Sequence, residues 1–176
     1  MVSLSERYAD YPVQPFISEQ QAQDHASGKV APAVPRKNME PLEGDVLAGD
    51  VILLWRIALG TFTTESVFPK YFEYTYGIDA PRHLEGLVDR DLVRKQSARE
   101  SLAHINVGQK KAILKNQGVK GFSKMKAAEL DQALLSQVEE STLEASFDIR
   151  GYVLTPEGQV LFEQHPQVLD RHPKKM

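Results

Sequence analysis

The sequence contains no cysteine, which excludes disulfide bonds and thiolate metal sites and is compatible with a reducing compartment. Its longest apolar run, residues 51–59, is interrupted by Arg56 and is far shorter than the ~20 residues that a membrane-spanning helix needs. The first residues lack the basic stretch and following apolar run of a secretory signal. We therefore expect a soluble, cytoplasmic protein without a membrane partner.

The sequence also lacks the short motifs that catalysis often uses, since it has no glycine-rich phosphate loop, no HExxH pair and no GxSxG turn. The five histidines are scattered, and His165 and His172 are seven residues apart with a proline between them, which is poor spacing for metal ligands on one helix. Adjacent carboxylates such as Glu139 and Glu140 are expected to be solvated rather than to share a pocket. We therefore predict no enzyme activity, no catalytic residues, no cofactor and no metal.

Acidic residues are absent from residues 101–128, although this segment holds six lysines. The chain as a whole carries a formal net charge of -3, so that everything outside the segment carries a net -9. Lysine is a good solvated residue on helix surfaces, and most runs of charge are no more than that. Segregation of sign favours a binding role here, because uncompensated positive charges attract polyanions. The six residues are Lys110, Lys111, Lys115, Lys120, Lys124 and Lys126.

The same segment predicts two short helices joined by an extended connector. Asn106 and Gln109 have the spacing of a capping box at the start of the first helix, and Gly118 can end that helix. Ser123 is the candidate cap of the second helix, where free backbone N–H groups could receive a phosphate. Neither helix is long enough to be stable alone, so we expect them to pack on each other. The expected apolar positions are Val107, Ile113, Leu114, Val119, Phe122, Met125, Ala127, Leu130 and Leu134.

Residues 113–130, ILKNQGVKGFSKMKAAEL, resemble the helix–extended–helix family that includes SAP domains and the N-terminal module of the transcription terminator Rho. Gly118 and Val119 match the step that ends the family's first helix, and residues 128–130 match the opening of its second. The resemblance spans residues 101–136 and implies binding of DNA or RNA through basic side chains around the connector. The residues that it implies are Lys120, Gly121, Ser123, Lys124 and Lys126, with Lys111 and Lys115 as flanking charge.

Two residues depart from the family's pattern. Lys110 stands where the family usually has a buried leucine, and we expect its alkyl chain to cover apolar surface while its ammonium reaches solvent. Ala127 stands where a lysine is common, which removes one candidate phosphate contact. Backbone contact carries no base information, so the sequence predicts neither a preferred base sequence nor a choice between DNA and RNA.

Outside the module, assigned to residues 101–140, we predict an arm and a body. Residues 1–44 hold five of the ten prolines and are predicted to form an extended or disordered arm, with Tyr8, Tyr11 and Phe16 as the candidate contacts if it lies along the body. Residues 45–100 and 145–176 are predicted to form a helical body, with a helix capped by Asp50, a short aromatic helix near residues 69–77, and a helix that follows Asp79. Residues 136–148 are expected to be loosely structured.

Two short strands, near residues 92–96 and 149–154, and a final helix capped by Thr155 complete the predicted body, and the tail from residue 165 is expected to fray. The predicted fold class is therefore mainly α with a small β hairpin, an α+β protein. The order of helix, strand, strand and helix resembles a winged helix with the lysine module inserted at the wing. The helix in the recognition position carries Arg82 and His83, but also Glu85 and Asp89, which would repel phosphate.

Two functions follow from this reading. The first is a non-enzymatic nucleic-acid-binding protein, bacterial or phage-borne, with DNA as its ligand and RNA as the alternative. The second is an adaptor that docks a protein partner through the same module and the proline-rich arm.

Overall fold

The computed structural model describes residues 3–173, which are mainly helical with one two-stranded antiparallel sheet, so the predicted α+β class is confirmed. No helix within these residues is long and apolar enough to cross a membrane. The α-helices are α1 (Leu4–Arg7), α2 (Glu19–Ala26), α3 (Ala48–Ala58), α4 (Tyr71–Tyr74), α5 (Ala80–Asp89), α6 (Val107–Asn116), α7 (Ala127–Gln137), α8 (Glu140–Ser146), α9 (Pro156–Glu163) and α10 (Pro166–Asp170). The 3-10 helices are Arg36–Met39, Arg99–His104 and Phe122–Lys124, and the strands are β1 (Val93–Lys95) and β2 (Tyr152–Leu154).

The chain forms two compact units. Unit 1 comprises the residues up to Ala58, Val67–Val93, and those from Leu154 onward. Unit 2 comprises Leu59–Ser66 and Arg94–Val153, and therefore contains the whole of the predicted lysine module. The order α5, β1, β2, α9 is the one on which the winged-helix resemblance rests, and that resemblance stays a prediction.

Helix α3 forms the centre of unit 1. Its sequence is apolar nearly all round, and such a helix is stable only inside a core. It packs against α5, α9 and α10. Asp50 lies in its first turn rather than at the cap, and its Oδ2 accepts the N–H of Leu47 at 2.9 Å, so the carboxylate stabilises the helix start from within. The fully buried side chains of α3 include Val51, Ile52, Leu53, Leu54 and Ile57.

The N-terminal arm is packed in unit 1, so of the two predicted forms disorder is wrong for the described residues from 3 to 44, which also contain the short helices α1 and α2. Tyr8, Val34 and Met39 are each no more than 3% exposed and form one apolar cluster. The Val34 N–H donates to the Tyr8 hydroxyl at 3.1 Å, and Glu73 accepts from the N–H of Ser18 at 2.8 Å. The prolines prevent regular pairing of this segment, but its apolar side chains are buried and its backbone finds partners in the core.

The C-terminal tail is also ordered as far as residue 173, which corrects the expectation that it frays for these residues. Pro166 begins α10, and Val168 is completely buried. His172 packs beside Trp55 and Tyr71 and is hydrogen-bonded through Nδ1 to the hydroxyl of Tyr76. Residues 174–176 of the predicted tail, like residues 1 and 2 of the arm, lie outside the described residues.

The strands and the last long helix follow their sequence signals. Both strands lie within the predicted ranges, and Thr155 caps α9 by accepting the N–H of Gly158 at 3.1 Å, with Pro156 in the first turn. A Cβ at Gly151, just before β2, would lie 2.1 Å from Oε1 of Gln96 and 2.6 Å from Nε2 of His104, so a side chain there would require these two side chains to move.

The packing of His172 predicts a pH-dependent stability. Burial, and secondarily the charge of Arg56, lowers the pKa of His172 below its ordinary value, while burial raises the pKa of Tyr76 to about 12. A histidine with a lowered pKa in the folded state stabilises the fold above the ordinary histidine pKa of about 6.5, and this stability is lost as the pH falls. We expect urea unfolding at about pH 7.5 and about pH 5.5 to show this loss.

The variant His172→Phe keeps an aromatic ring but has no titratable group, so its stability should change less over the same pH range. Equal pH dependence of the variant and the parent would contradict the role assigned to His172.

Candidate nucleic-acid interface

The core of unit 2 is built where α6 packs on α7. Ile113, Leu114, Leu130 and Leu134 are buried as predicted, and Val119, Phe122 and Met125 pack against them half-buried. Val107 is 43% exposed and Ala127 is exposed, so the prediction that these two residues face the core is wrong. Each helix packs against the other through one apolar side, and most of its remaining residues are exposed to solvent.

The 3-10 helix Arg99–His104 and helix α8 complete this core. Leu102, Leu143 and Phe147 from these flanking segments are no more than 7% exposed in the same cluster as Leu114. The acidic stretch 136–148 is therefore not loosely structured as expected, because Val138, Leu143 and Phe147 bury their side chains and order it. The basic segment is part of a larger packed unit rather than an isolated pair of helices.

Both ends of α6 form as the sequence predicts. Asn106 Oδ1 accepts the N–H of Gln109 at 2.8 Å, and the N–H of Asn106 donates to Gln109 Oε1 at 2.9 Å, which completes the capping box. Gly118 adopts a φ of 72° just beyond the helix end, the left-handed conformation that suits glycine. These local signals fix where the first lysine-bearing helix begins and ends.

Ser123 does not cap the second helix, and this expectation is corrected. It lies in the 3-10 helix Phe122–Lys124, while α7 begins only at Ala127 with Lys126 at its N-cap position. Gly121, at a φ of 80°, starts the tight turn that carries Phe122 against the core, so residues 122–125 are not free to join α7. The N–H of Lys126 donates to Glu129 Oε1 at 3.4 Å.

Lys110 is the main difference between the expected and the observed module. Its ammonium was expected to reach solvent, but the side chain is only 7% exposed and Nζ lies 2.6 Å from Oδ1 of Asp131 on α7. The residue lies on the α6 side that contacts α7, where a solvated end is out of reach and a carboxylate must neutralise the charge instead. One of the six positive charges is thereby removed from the surface.

We predict that Asp131→Asn is destabilising, by about 1.5–3 kcal/mol in the free energy of unfolding, because it leaves the buried Lys110 ammonium without a counter-charge beside a partly exposed partner. Adding Lys110→Leu to the Asp131→Asn variant should recover most of the lost stability, because leucine is apolar and needs no counter-charge when it is buried there. Urea denaturation of the parent, the single variant and the double variant measures both effects. A double variant no more stable than Asp131→Asn alone would contradict this explanation.

Lys111 joins α6 to the connector. It is half-buried, and its Nζ donates to the carbonyl oxygen of Ser123 at 3.2 Å. Lys115 lies one helical turn further along the same side of α6, and Lys124 directly follows the residue that Lys111 contacts. The basic side chains of the helix and of the connector therefore come from adjoining parts of unit 2.

Four lysines of the segment are exposed: Lys115, Lys120, Lys124 and Lys126. None of them forms a salt bridge within residues 3–173. Together with Lys111 they form what we call the lysine surface. Gly121 lies in its connector with nothing within 4 Å of the place that a Cβ would occupy, so the backbone there is open to a ligand.

Two further carboxylates of unit 2 pair with arginines and not with the exposed lysines. Arg94 and Glu100 make a bidentate pair, with both N–O distances 2.8 Å, and the hydrogen bond from Arg94 is the main cause that lowers the pKa of Glu100 to about 2. Glu144 accepts from Arg150 at 2.9 Å. Unit 2 has ten basic and eight acidic residues, a net +2, whereas unit 1 carries a net -5. The lysine surface thus keeps its positive charge in an acidic protein.

A search of protein-family models, of curated proteins and of solved structures finds no match to this chain. Within residues 3–173, no three histidine or acidic side chains come close enough together to hold a metal ion. One polar pair of unit 1, Asp50 with His83, has no signal in the sequence, because its two residues are 33 positions apart in the chain. No local motif joins them, and only the packing of α3 against α5 brings them together.

Proposed function

We propose that this protein binds nucleic acid, DNA in the first place, through backbone contacts of the lysine surface on unit 2. The observation that carries the proposal is the group of four exposed lysines without a carboxylate partner in the described part of the chain. Phosphates along a nucleic acid are a dense line of negative charge, and each lysine that neutralises one releases condensed counterions.

The chemistry of the surface favours backbone binding over base recognition. Lysine ammonium groups act as point charges on flexible chains and do not impose the fixed two-pronged geometry of arginine. Such contacts position a protein on the phosphates and carry no sequence information. Ala127 and Ala128, exposed in the first turn of α7, leave room for a phosphate near Lys126, although Glu129 already occupies the N–H of Lys126.

The resemblance to SAP-like modules supports the same proposal. The residues that it implies as contacts in the connector include Lys120, Gly121 and Lys124, which are exposed. Ser123 is exposed as well, but its carbonyl already receives Lys111, so only its hydroxyl remains for a ligand. Lys111 consequently acts by holding the connector against α6 as much as by its own charge.

The test is the salt dependence of binding to a labelled duplex of mixed sequence, followed by fluorescence anisotropy. Four phosphate contacts predict a slope of about -3.6 in a plot of log affinity against log salt concentration. The triple variant Lys120→Gln, Lys124→Gln, Lys126→Gln should bind weakly, with a slope reduced to about -0.9. The affinities for single-stranded DNA and duplex RNA of the same length are measured in the same way, and their order shows which nucleic acid the protein prefers.

A matched control removes the same charge from unit 1. Lys29, Lys37 and Lys70 are exposed there, and their replacement by glutamine should leave the slope unchanged. If both triple variants weaken binding equally, the effect is general charge rather than the lysine surface. Absence of binding to every nucleic acid at low salt would reject the proposal and leave docking of a protein partner as the use of the module.

A further inference from the structure

A groove of about 300 Å³ lies in unit 1, beside the Asp50–His83 pair, and we call it the His83 groove. It runs between the turn that precedes α3 and one side of α5. This volume is at the lower end of the range for sites that hold small molecules. The residues that line it are Asp45, Asp50, Arg82, His83, Gly86, Leu87 and Arg90.

Asp50 fixes the orientation of the His83 ring. Its Oδ1 lies 2.7 Å from Nδ1 of His83, and its Oδ2 accepts the N–H of Leu47 at 2.9 Å, so both carboxylate oxygens are engaged. The Asp50 side chain is 10% exposed, whereas that of His83 is 32% exposed. A carboxylate at Nδ1 requires a hydrogen on that nitrogen, which leaves Nε2 as the nitrogen available to a ligand.

One side of α5 forms the floor of the groove. Arg82, Gly86 and Arg90 follow one another at helical spacing and therefore share a side of the helix. A Cβ at Gly86 would meet nothing within 4 Å, so the absence of a side chain there leaves open space between the two arginines. The floor is thus a gap flanked by guanidinium groups.

The opposite wall is a turn held by hydrogen bonds. Arg90 donates from Nη2 to the carbonyl of Gly44 at 2.7 Å and from Nη1 to that of Asp45 at 3.0 Å. The buried His165 donates from Nε2 to the carbonyl of Glu43 at 2.8 Å. Asp45 has a φ of 58°, a left-handed conformation that is uncommon for a residue with a side chain. These bonds keep the turn in one shape.

Three polar groups of the groove have no partner within residues 3–173. They are the exposed guanidinium of Arg82, Nε2 of His83 and the carboxylate of Asp45. Arg82 offers a planar fork of donors that fits phosphate oxygens, and an imidazolium adds one more donor from Nε2. Asp45 can only accept, so it disfavours a bare anion but suits a hydroxyl group beside one.

We propose that the His83 groove binds a small phosphomonoester that carries hydroxyl groups. Arg82 and His83 hold the phosphate, and Asp45 accepts a hydroxyl of the same molecule. A tetrahedral phosphate presents oxygens toward donors in several directions, whereas a carboxylate presents two oxygens in one plane. The Arg82 guanidinium therefore selects the phosphate of the ligand, and the Asp45 carboxylate selects its hydroxyl group.

The experiment uses the full chain and follows the His83 ring and the Arg82 side-chain N–H by NMR during titration. The probes are glycerol 3-phosphate, inorganic phosphate and glycerol. We expect glycerol 3-phosphate to shift both signals at millimolar concentration and to bind more tightly than inorganic phosphate, while glycerol alone has no effect. Arg82→Gln should weaken the binding of glycerol 3-phosphate about tenfold or more, because a charge-assisted pair of hydrogen bonds is lost.

Asp45→Asn separates the proposed ligand from general attraction of anions. Asparagine tolerates the left-handed conformation, so the turn is kept while the charge is removed. Inorganic phosphate should then bind more tightly than it does to the parent protein. The ratio of the affinity for glycerol 3-phosphate to that for inorganic phosphate should therefore fall. Lys37→Gln removes one charge from an exposed site of unit 1 outside the groove and should change neither affinity.

Two results would overturn the proposal. One is the absence of any shift at His83 with either phosphate probe. The other is an equal effect of Arg82→Gln and Lys37→Gln, which would mean that anions respond to the overall charge of the chain and not to the groove. Neither result bears on the lysine surface of unit 2, so this inference and the proposed function can fail separately.

Discussion

Unit 2 depends on the contact between α6 and α7, which joins Ile113 and Leu114 to Leu130 and Leu134. Helices of ten and eleven residues are marginal alone, and burial of these apolar sides is what stabilises them. The contact also requires an ion pair, because Lys110 is buried in it and its charge is neutralised by Asp131.

The same contact separates lysines that the sequence presents as equivalent. One is buried in an ion pair, one joins α6 to the connector, and four are exposed. A ligand with many phosphates would therefore meet fewer charges than the sequence alone suggests, and the surviving ones come from the end of α6, the connector and the start of α7. The proposed binding is accordingly electrostatic, moderate in strength and sensitive to salt.

Local chemistry was predictable where a few neighbouring residues decide the outcome. The capping box of Asn106 and Gln109, the helix stop at Gly118 and the cap at Thr155 all lie where the sequence placed them. The predictions that proved wrong concern segments whose order comes from distant partners. The arm is ordered by burial of Tyr8 and Val34, and residues 136–148 are ordered by burial of Leu143. No local sequence pattern predicts either burial.

Segregation of positive charge, both ends of α6 and the start of α9 were properties of the sequence alone, because each arises from residues within a few positions of one another. The tertiary structure decided which lysines remain available, where the second helix of the module starts, and that Asp50 meets His83 across 33 residues. These outcomes depend on which side chains compete for burial once the helices pack. Residues far apart in the chain compete in this way, so the result cannot be predicted from the sequence around any one of them.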